Sequence, residues 1–219
     1  MFYKEIIKKL KSLKNSKNIE GMARFGINPK NTLGIPVYKL RSIAKETGKN
    51  HILATKLWQS RIHEARILSG YIDNPKLVTE KQMDDWVSDF DSWDICDQVI
   101  SSLFDKTSFA YKKAFEWSKR KKEFEKRAGF VMMATLSVHD KKASDATFMK
   151  FFPVIKKWST DERNFVKKAV NWALRQIGKR NLNLKDKSIK VADDIMKSYP
   201  LSRSAQWIAK DALKELLSK

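Results

Sequence analysis

The stretch DERNFVKKAVNWALRQIGK, residues 161–179, shows the fold class of this chain most clearly. At about 100° per residue, Val166, Val170, Ala173 and Ile177 fall on one side of a helix. That spacing predicts an amphipathic helix over 161–178 with a buried apolar stripe. The whole chain holds only 7 Gly and 5 Pro, few for a β-rich fold with many tight turns. Long helices with short connections are therefore expected.

The same helical periodicity recurs along almost the whole chain, and strand-like alternation is absent. Proline and glycine interrupt it at Asn28-Pro29, Gly34-Ile35-Pro36 and Asn74-Pro75, where turns are expected. The pattern predicts helices over 2–16, 19–25, 36–48, 51–59, 62–72, 79–90, 92–104, 107–118, 122–138, 144–158, 161–178, 183–197 and 202–217.

A weak internal repeat is formed by small residues near the start of alternate helices, namely Ala65, Cys96, Ala128, Ala169 and Ala205. Their separations, roughly 31 to 41 residues, are typical of two-helix repeats of the HEAT or armadillo kind. We therefore predict an all-α superhelix of HEAT-like helical repeats over 1–219, as a single domain with a concave basic groove. A compact helical bundle is the alternative.

The charge balance indicates a polyanionic partner. Lys and Arg total 45 against 25 for Asp and Glu, which gives a net charge of +20. Nucleic acid, or less often an anionic membrane surface, is the expected partner, and a composition that serves only solubility is the alternative.

Cys96 is the single cysteine of the chain, so no internal disulfide forms. No targeting or membrane-spanning segment is visible, so we expect a cytoplasmic protein with no membrane partner.

The helix predicted over 161–178 carries a second face of unusual composition. Phe165, Lys168, Trp172, Arg175 and Lys179 cluster opposite its apolar stripe. Cations are expected on an outward face, but two large aromatic residues are not. Aromatic rings among cations suit a nucleic-acid backbone with a sugar or base to contact. The alternative is that Phe165 and Trp172 pack against a neighbouring repeat.

The segment DSWDICDQVI, residues 91–100, supplies a carboxylate in an unexpected place. Asp91 or Ser92 is expected to cap the helix. Asp97 follows Trp93 by one turn, so the two side chains share a face on which apolar residues are expected. A carboxylate there needs a cation or a hydrogen-bond donor. It is either displayed beside the indole for a ligand or engaged in a structural salt bridge.

Arg127 begins the otherwise apolar run RAGFVMMATLSV. Its planar guanidinium is suited to clamping a phosphate. The alternative is a structural partnership with Asp97 or a nearby glutamate. Arg175 is a second candidate for a salt bridge to Asp97. Metal-ligand spacing is absent from the three histidines, His51, His63 and His139, and from the single cysteine. The sequence also contains no glycine-rich phosphate loop and no nucleophile motif. No metal and no cofactor are expected.

Four motifs resemble the DNA alkylation repair family, the AlkD-like alkylpurine DNA glycosylases. They are MARFGI (22–27), SWDICDQ (92–98), KRAGF (126–130) and KKAVNWALRQIGKRN (167–181). The resemblance runs from about residue 20 to the end of the chain. It implies HEAT-like repeats around a basic groove that holds duplex DNA through its backbone, without a deep pocket for the base.

The resemblance also implies roles for individual residues. The predicted catalytic residues are Asp97, Trp93 and Trp172. The predicted DNA-binding residues are Arg127, Arg175, Lys168, Phe165, Phe25 and Lys179. Two positions depart from the family pattern, because Phe25 stands where the family has a tyrosine and Ser92 replaces one of two adjacent tryptophans. Both changes bear on catalysis more than on binding.

The predicted function is excision of cationic N3- or N7-alkylated purines from duplex DNA by a monomeric glycosylase. Such a base is already a good leaving group, so the protein needs to stabilise positive charge on the sugar rather than protonate the base. A non-catalytic binder of branched or distorted DNA is the alternative. A protein-interaction scaffold, as many HEAT arrays are, is the third interpretation.

Overall fold

The computed structural model describes residues 1–218 and contains, within that range, helices and their connections without strands. A short 3-10 helix, which the sequence pattern did not predict, lies at Phe104–Lys106. The α-helices are α1 Tyr3–Ser12, α2 Ser16–Arg24, α3 Val37–Thr47, α4 His51–Gln59, α5 His63–Ile72, α6 Glu80–Ser88, α7 Trp93–Ser102, α8 Ala110–Trp117, α9 Glu123–His139, α10 Asp145–Met149, α11 Phe152–Trp158, α12 Asn164–Gly178, α13 Leu182–Ser198 and α14 Arg203–Leu217.

The helices form two compact units, Met1–Thr107 and the chain from Ser108 onward. In the first unit α5 packs against its chain neighbour α4 and also against α3 and α7. In the second unit α9 packs against α8 and α12, and α12 packs against α13 and α14. Helices paired with chain neighbours agree with the predicted helical repeats. The prediction of one domain over 1–219 stays a prediction.

Close packing between paired helices uses the small residues of the repeat. Ala65, Cys96, Ala128, Ala169 and Ala205 are all 0% exposed. Next to Ala128, a Cβ on Gly129 would overlap the backbone of Ser118 and lie 2.9 Å from the carbonyl oxygen of Ala114. Because glycine lacks that atom, α8 and α9 approach at backbone distance.

The helix predicted over 144–158 is two helices, so that prediction was wrong. α10 ends at Met149 and α11 begins at Phe152, with Pro153 in its first turn. Proline has no N–H to donate to the carbonyl four residues earlier, which is that of Met149. A continuous helix therefore cannot pass Met149, whereas the first turn of a new helix tolerates Pro153.

The first predicted helix, 2–16, is also shorter than expected. α1 ends at Ser12, and the Asn15 side chain accepts a hydrogen bond from the Asn18 N–H at 3.1 Å. Asn15 thereby caps α2, which begins at Ser16. An N-cap residue needs a non-helical backbone, so the two helices separate there. In the described chain, none of the helices combines the length and apolar character needed to cross a membrane.

Candidate nucleic-acid interface

In the first unit, Trp93 is the first residue of α7 and is partly exposed. Its indole Nε1 donates a hydrogen bond of 3.1 Å to the carbonyl oxygen of Phe25, at the end of α2. A tryptophan has a single hydrogen-bond donor, so this bond fixes the ring and leaves its faces for other contacts. The Phe25 side chain is 76% exposed.

The start of α7 is tied to the preceding loop through Ser92. The Ser92 hydroxyl accepts a hydrogen bond of 2.9 Å from the Asn28 N–H, and the neighbouring Asp91 accepts one of 2.8 Å from the Asn28 amide. Ser92 occupies the N-cap position, but its side chain makes no capping hydrogen bond to α7. The predicted N-cap position is therefore confirmed at Ser92, but its hydroxyl bonds a loop 64 residues away in sequence.

A buried carboxylate organises the loop between α2 and α3. Glu64 is 0% exposed and accepts hydrogen bonds from the main-chain N–H groups of Leu33, Gly34 and Ile35 at 2.7 to 3.2 Å. Several N–H donors converging on one carboxylate satisfy a buried charge that would otherwise be unfavourable. This role was not predicted from the sequence, although a glutamate in the apolar run HEARILSGYI indicates a buried carboxylate.

His63 and Asp94 form a buried pair between α5 and α7. The His63 Nε2 lies 2.7 Å from the Asp94 carboxylate, and both residues are less than 9% exposed. Burial alone lowers the pKa of His63, but the hydrogen bond and the negative charge of Asp94 outweigh it, so the pKa is raised. A protonated His63 therefore strengthens the connection between α5 and the first turn of α7.

Asp97 lies one turn after Trp93 on α7 and is partly exposed. The shared face predicted from sequence therefore places both side chains where they reach the protein surface. Ile95, Cys96, Val99 and Ile100 are buried beneath them. Both residues reach the surface of a helix whose start is held by Ser92 and Asp94, and the predicted role of Asp97 stays a prediction.

In the second unit, α12 has the two predicted faces. Val166, Val170, Ala173 and Ile177 are 0% exposed, which confirms the apolar stripe. The opposite face reaches the surface through Phe165, Lys168, Trp172, Arg175 and Lys179.

The two aromatic residues of that face differ in their surroundings. Phe165 contacts Phe124 with ring centroids 5.4 Å apart, so part of its surface packs on α9, as the alternative interpretation expected. Trp172 is partly exposed. Part of its ring surface is thus available to a ligand.

The cations of α12 are not equally available. Arg175 and Lys179 both form ion pairs with Glu215 of α14, and the Arg175 Nε lies 3.7 Å from Asp211. Burial raises the pKa of Glu215, but the hydrogen bonds from Lys179 and Arg175 outweigh it and lower that pKa. Lys168 is exposed. A phosphate would meet Lys168 directly, whereas it would compete with Glu215 for the other two.

Arg127 is 6% exposed and donates a hydrogen bond of 2.7 Å to the carbonyl oxygen of Phe165. Beside it, the Lys126 ammonium lies 3.1 Å from Asp161 and 3.3 Å from the centroid of the Trp158 ring. These contacts join the beginnings of α9 and α12. The predicted contact between Arg127 and a DNA phosphate stays a prediction. In the structure the Arg127 guanidinium already donates a hydrogen bond to the protein main chain at Phe165.

Residues 6–216 match the protein family described as DNA alkylation repair enzyme. The chain belongs to the DNA alkylation repair enzyme family. That match confirms the resemblance drawn from the four sequence motifs. No protein of curated function matches this chain. No group of His, Cys, Asp and Glu side chains in residues 1–218 has the arrangement of a metal site.

A solved structure shows the fold of this DNA alkylation repair family member. The match has a TM-score of 0.79 and 20% sequence identity, and it covers 88% of this chain and 83% of the other. That structure is described as belonging to a new family of proteins related to the HEAT-like repeat DNA glycosylases, with affinity for branched DNA structures. The likeness confirms the predicted HEAT-like repeat fold. The predicted concave groove and the roles of the site residues stay predictions.

Proposed function

We propose that this protein binds duplex DNA and hydrolyses the N-glycosidic bond of purines alkylated at N3 or N7. The observation that carries the proposal is the pair Trp93 and Asp97 on α7, with the indole fixed by its 3.1 Å bond to Phe25. Family membership supports repair of alkylated DNA. The net charge of +20 supports a polyanionic partner.

The chemistry follows from the charge of the substrate. An N3- or N7-alkylated purine carries a positive charge, so its bond to C1′ of the deoxyribose breaks with the electron pair leaving on the base. Positive charge then develops on the sugar, and the Asp97 carboxylate stabilises it. Water adds to C1′ and loses a proton, which gives the free base and an abasic site. The Asp97 carboxylate also orients that water.

The aromatic and basic residues assist by contact with the DNA. The face of the Trp93 indole packs against the deoxyribose and attracts its developing charge. In the second unit, Trp172 offers an aromatic surface to the DNA, and Lys168 offers its charge to a phosphate. Arg175 and Lys179 add charge when a phosphate displaces Glu215, and Phe165 and Phe25 add aromatic surface.

The experiment is release of 7-methylguanine and 3-methyladenine from a methylated duplex, followed by chromatography of the freed bases. Wild type should release both, and Asp97→Asn should lower the rate by about 10²-fold or more while its affinity for the duplex is kept. Asp85→Asn is the matched control, because Asp85 is an exposed carboxylate on α6 and its removal changes the net charge equally. Equal rates for Asp97→Asn and wild type would contradict the proposal.

A second candidate function is binding of branched DNA without base excision. It is favoured by the absence of a hydroxyl at Phe25, by Ser92 in place of an aromatic residue, and by the described affinity of the structurally similar family for branched DNA. A four-way junction should then bind more tightly than a duplex of equal length. No base should be released by wild type, and Asp97→Asn should bind the junction as wild type does.

A further inference from the structure

Helices α12 and α14 lie side by side in the second unit and run in the same direction. Near the start of α12, the Lys167 ammonium lies 5.2 Å from the centroid of the Trp207 ring on α14. At the end of α12, Lys179 forms an ion pair with Glu215, eight residues after Trp207. Because the contacts follow the same order along both helices, the helices are parallel.

The contact with α14 divides the surface of α12. Lys167 and Asn171 lie in the row of side chains that meets α14, and the Asn171 amide donates a hydrogen bond of 3.1 Å to the carbonyl oxygen of Ile208. Lys168 and Trp172 each come one residue later, which is a turn of about 100° around the helix. The proposed DNA-binding face of α12 therefore lies to one side of this contact.

On α14 the same side is reached by turning the opposite way. Asp211 and Glu215 lie in the row that meets α12, where both pair with Arg175. Lys210 and Lys214 each precede one of these carboxylates by one residue, a turn of about 100° in the opposite sense. When two parallel helices face each other, opposite turns lead to the same side. The two lysines of α14 therefore face the same way as the DNA-binding face of α12.

Trp207 adds an aromatic ring to this side of α14. It lies one turn before Lys210, so the two side chains are neighbours on the helix surface. At 39% exposure it is the most exposed of the seven tryptophans. An aromatic ring among cations suits the sugars and phosphates of a nucleic acid.

The charges of α14 are sorted between its two sides. The carboxylates of Asp211 and Glu215 are engaged by cations of α12, whereas Lys210 and Lys214 are exposed. The α14 face, which consists of Trp207, Lys210 and Lys214, therefore presents positive charge and an indole. A polyanion is its complementary partner.

A duplex that crosses the DNA-binding face of α12 would continue onto the α14 face. Packed helices lie about 8–10 Å apart. Successive base pairs of a duplex lie about 3.4 Å apart. The α14 face is therefore about three base pairs farther along the DNA than Trp172.

We propose that the α14 face binds the backbone of the DNA duplex about three base pairs beyond the nucleotide at Trp172. Lys210 and Lys214 bind phosphates, and the Trp207 ring packs against a deoxyribose. This inference rests on the DNA binding of the proposed function and extends it to a helix that neither the motifs nor the resemblance assigned to DNA. Contacts to the backbone carry no sequence information, so the α14 face serves undamaged DNA equally.

The salt dependence of affinity tests the two lysines. Each phosphate neutralised contributes about −0.9 to the slope of log K against log salt. The double variant Lys210→Ala/Lys214→Ala should therefore make the slope shallower by about 1.8, measured by fluorescence anisotropy on an unmodified duplex. Lys187→Ala/Lys190→Ala, which removes two exposed lysines from α13, is the matched control and should leave the slope unchanged.

Hydroxyl-radical cleavage of the DNA sugars locates the contact. The probe is a duplex with one tetrahydrofuran residue, a stable analogue of an abasic site, which holds the protein at one position. Wild type should protect sugars on both sides of the analogue. Lys210→Ala/Lys214→Ala and Trp207→Ala should each lose protection over about three base pairs at one end and keep it at the analogue. Trp207→Phe, which keeps an aromatic ring, should retain the outer protection.

The outcomes separate this inference from the proposed function. A wild-type slope and a full footprint for the lysine variant would overturn the α14 contact and leave the proposed function standing, and so would an equal change of slope in the α13 control. Loss of protection at the analogue itself would also overturn the α14 contact. Should wild type bind neither duplex, both proposals are overturned. Should Trp207→Ala not fold, the lysine variant decides, because exposed lysines are removed with little effect on stability.

Discussion

The guanidinium of Arg127 donates a hydrogen bond of 2.7 Å to the main-chain carbonyl oxygen of Phe165. The bond connects the first turns of α9 and α12 across 38 residues of sequence. Sequence analysis assigned Arg127 to a DNA phosphate and Phe165 to the DNA-binding surface. The structure gives the pair a further role, because the arginine holds the helix that carries Lys168 and Trp172.

We expect Arg127→Ala to lower the free energy of unfolding by about 1.5–3 kcal/mol, because a charge-assisted hydrogen bond between the two helices and the packing of a buried side chain are lost. Urea unfolding followed by circular dichroism measures the change. Arg203→Ala is the control, because Arg203 is an exposed arginine at the start of α14. Unfolding of Arg127→Ala at the wild-type midpoint, together with weakened DNA binding, would show that Arg127 acts only as a DNA contact.

Acid should weaken the second unit through Asp161. Burial raises the pKa of Asp161, but the hydrogen bonds from Arg163 and Lys126 outweigh it and lower the pKa from 3.8 to about 2. A lowered pKa stabilises the folded state above pH 3.8, and that contribution is lost as the pH falls towards 2. With allowance for solvent screening, we expect it to be about 1–2 kcal/mol.

Urea unfolding between pH 5 and pH 2 tests this expectation. Asp161→Asn should be less stable than wild type at pH 5, and the difference should narrow towards pH 2. Asp85→Asn, at an exposed position, should follow the wild-type curve. A constant difference between Asp161→Asn and wild type over the whole range would be inconsistent with a lowered pKa of Asp161.

DNA affinity should depend on Lys168 through the salt concentration. Each phosphate neutralised contributes about −0.9 to the slope of log K against log salt. Lys168→Ala should therefore make the slope shallower by about 0.9, measured by anisotropy on an unmodified duplex. Lys190→Ala, an exposed lysine on α13, is the control and should leave the slope unchanged. A shallower slope for Lys190→Ala together with an unchanged slope for Lys168→Ala would place the DNA on a different face.

Glu215 should act as an internal competitor of DNA. Its ion pairs with Arg175 and Lys179 must loosen before a phosphate approaches either cation. We expect Glu215→Gln to raise affinity for duplex DNA roughly two- to fivefold, since partly exposed pairs of this kind are weak. Glu162→Gln, at an exposed glutamate, changes the net charge equally and should have a smaller effect. Equal effects of the two variants would indicate that net charge alone matters.

Two glycines in helices should respond oppositely to alanine. Gly129→Ala should destabilise the protein by about 1–3 kcal/mol, because its Cβ would overlap the backbone of Ser118. Gly21→Ala should stabilise it by about 0.5–1 kcal/mol, because its Cβ meets no atom within 4 Å. Thermal and urea unfolding measure both changes. A stabilising Gly129→Ala would show that α8 and α9 are farther apart than the structure places them.

The sequence by itself determined the helices and the faces that they bury. Val166, Val170, Ala173 and Ile177 are spaced by the helical period, and that period depends only on residues close together in the chain. The ends of the helices also depend on local chemistry. The break before Pro153 could have been predicted from the sequence, because proline lacks an N–H. The order and separation of the motifs also identified the family.

Only the tertiary structure decided which partner each polar side chain takes. Ser92 is the N-cap residue of α7, one of the two positions predicted, but its hydroxyl bonds the backbone of Asn28. Arg175 and Lys179 meet Glu215, and a cleft beside Trp93 is closed by residues of α2 and of the loop before α3. Such contacts join positions tens of residues apart, and their strength depends on distance and burial, which helical periodicity does not contain.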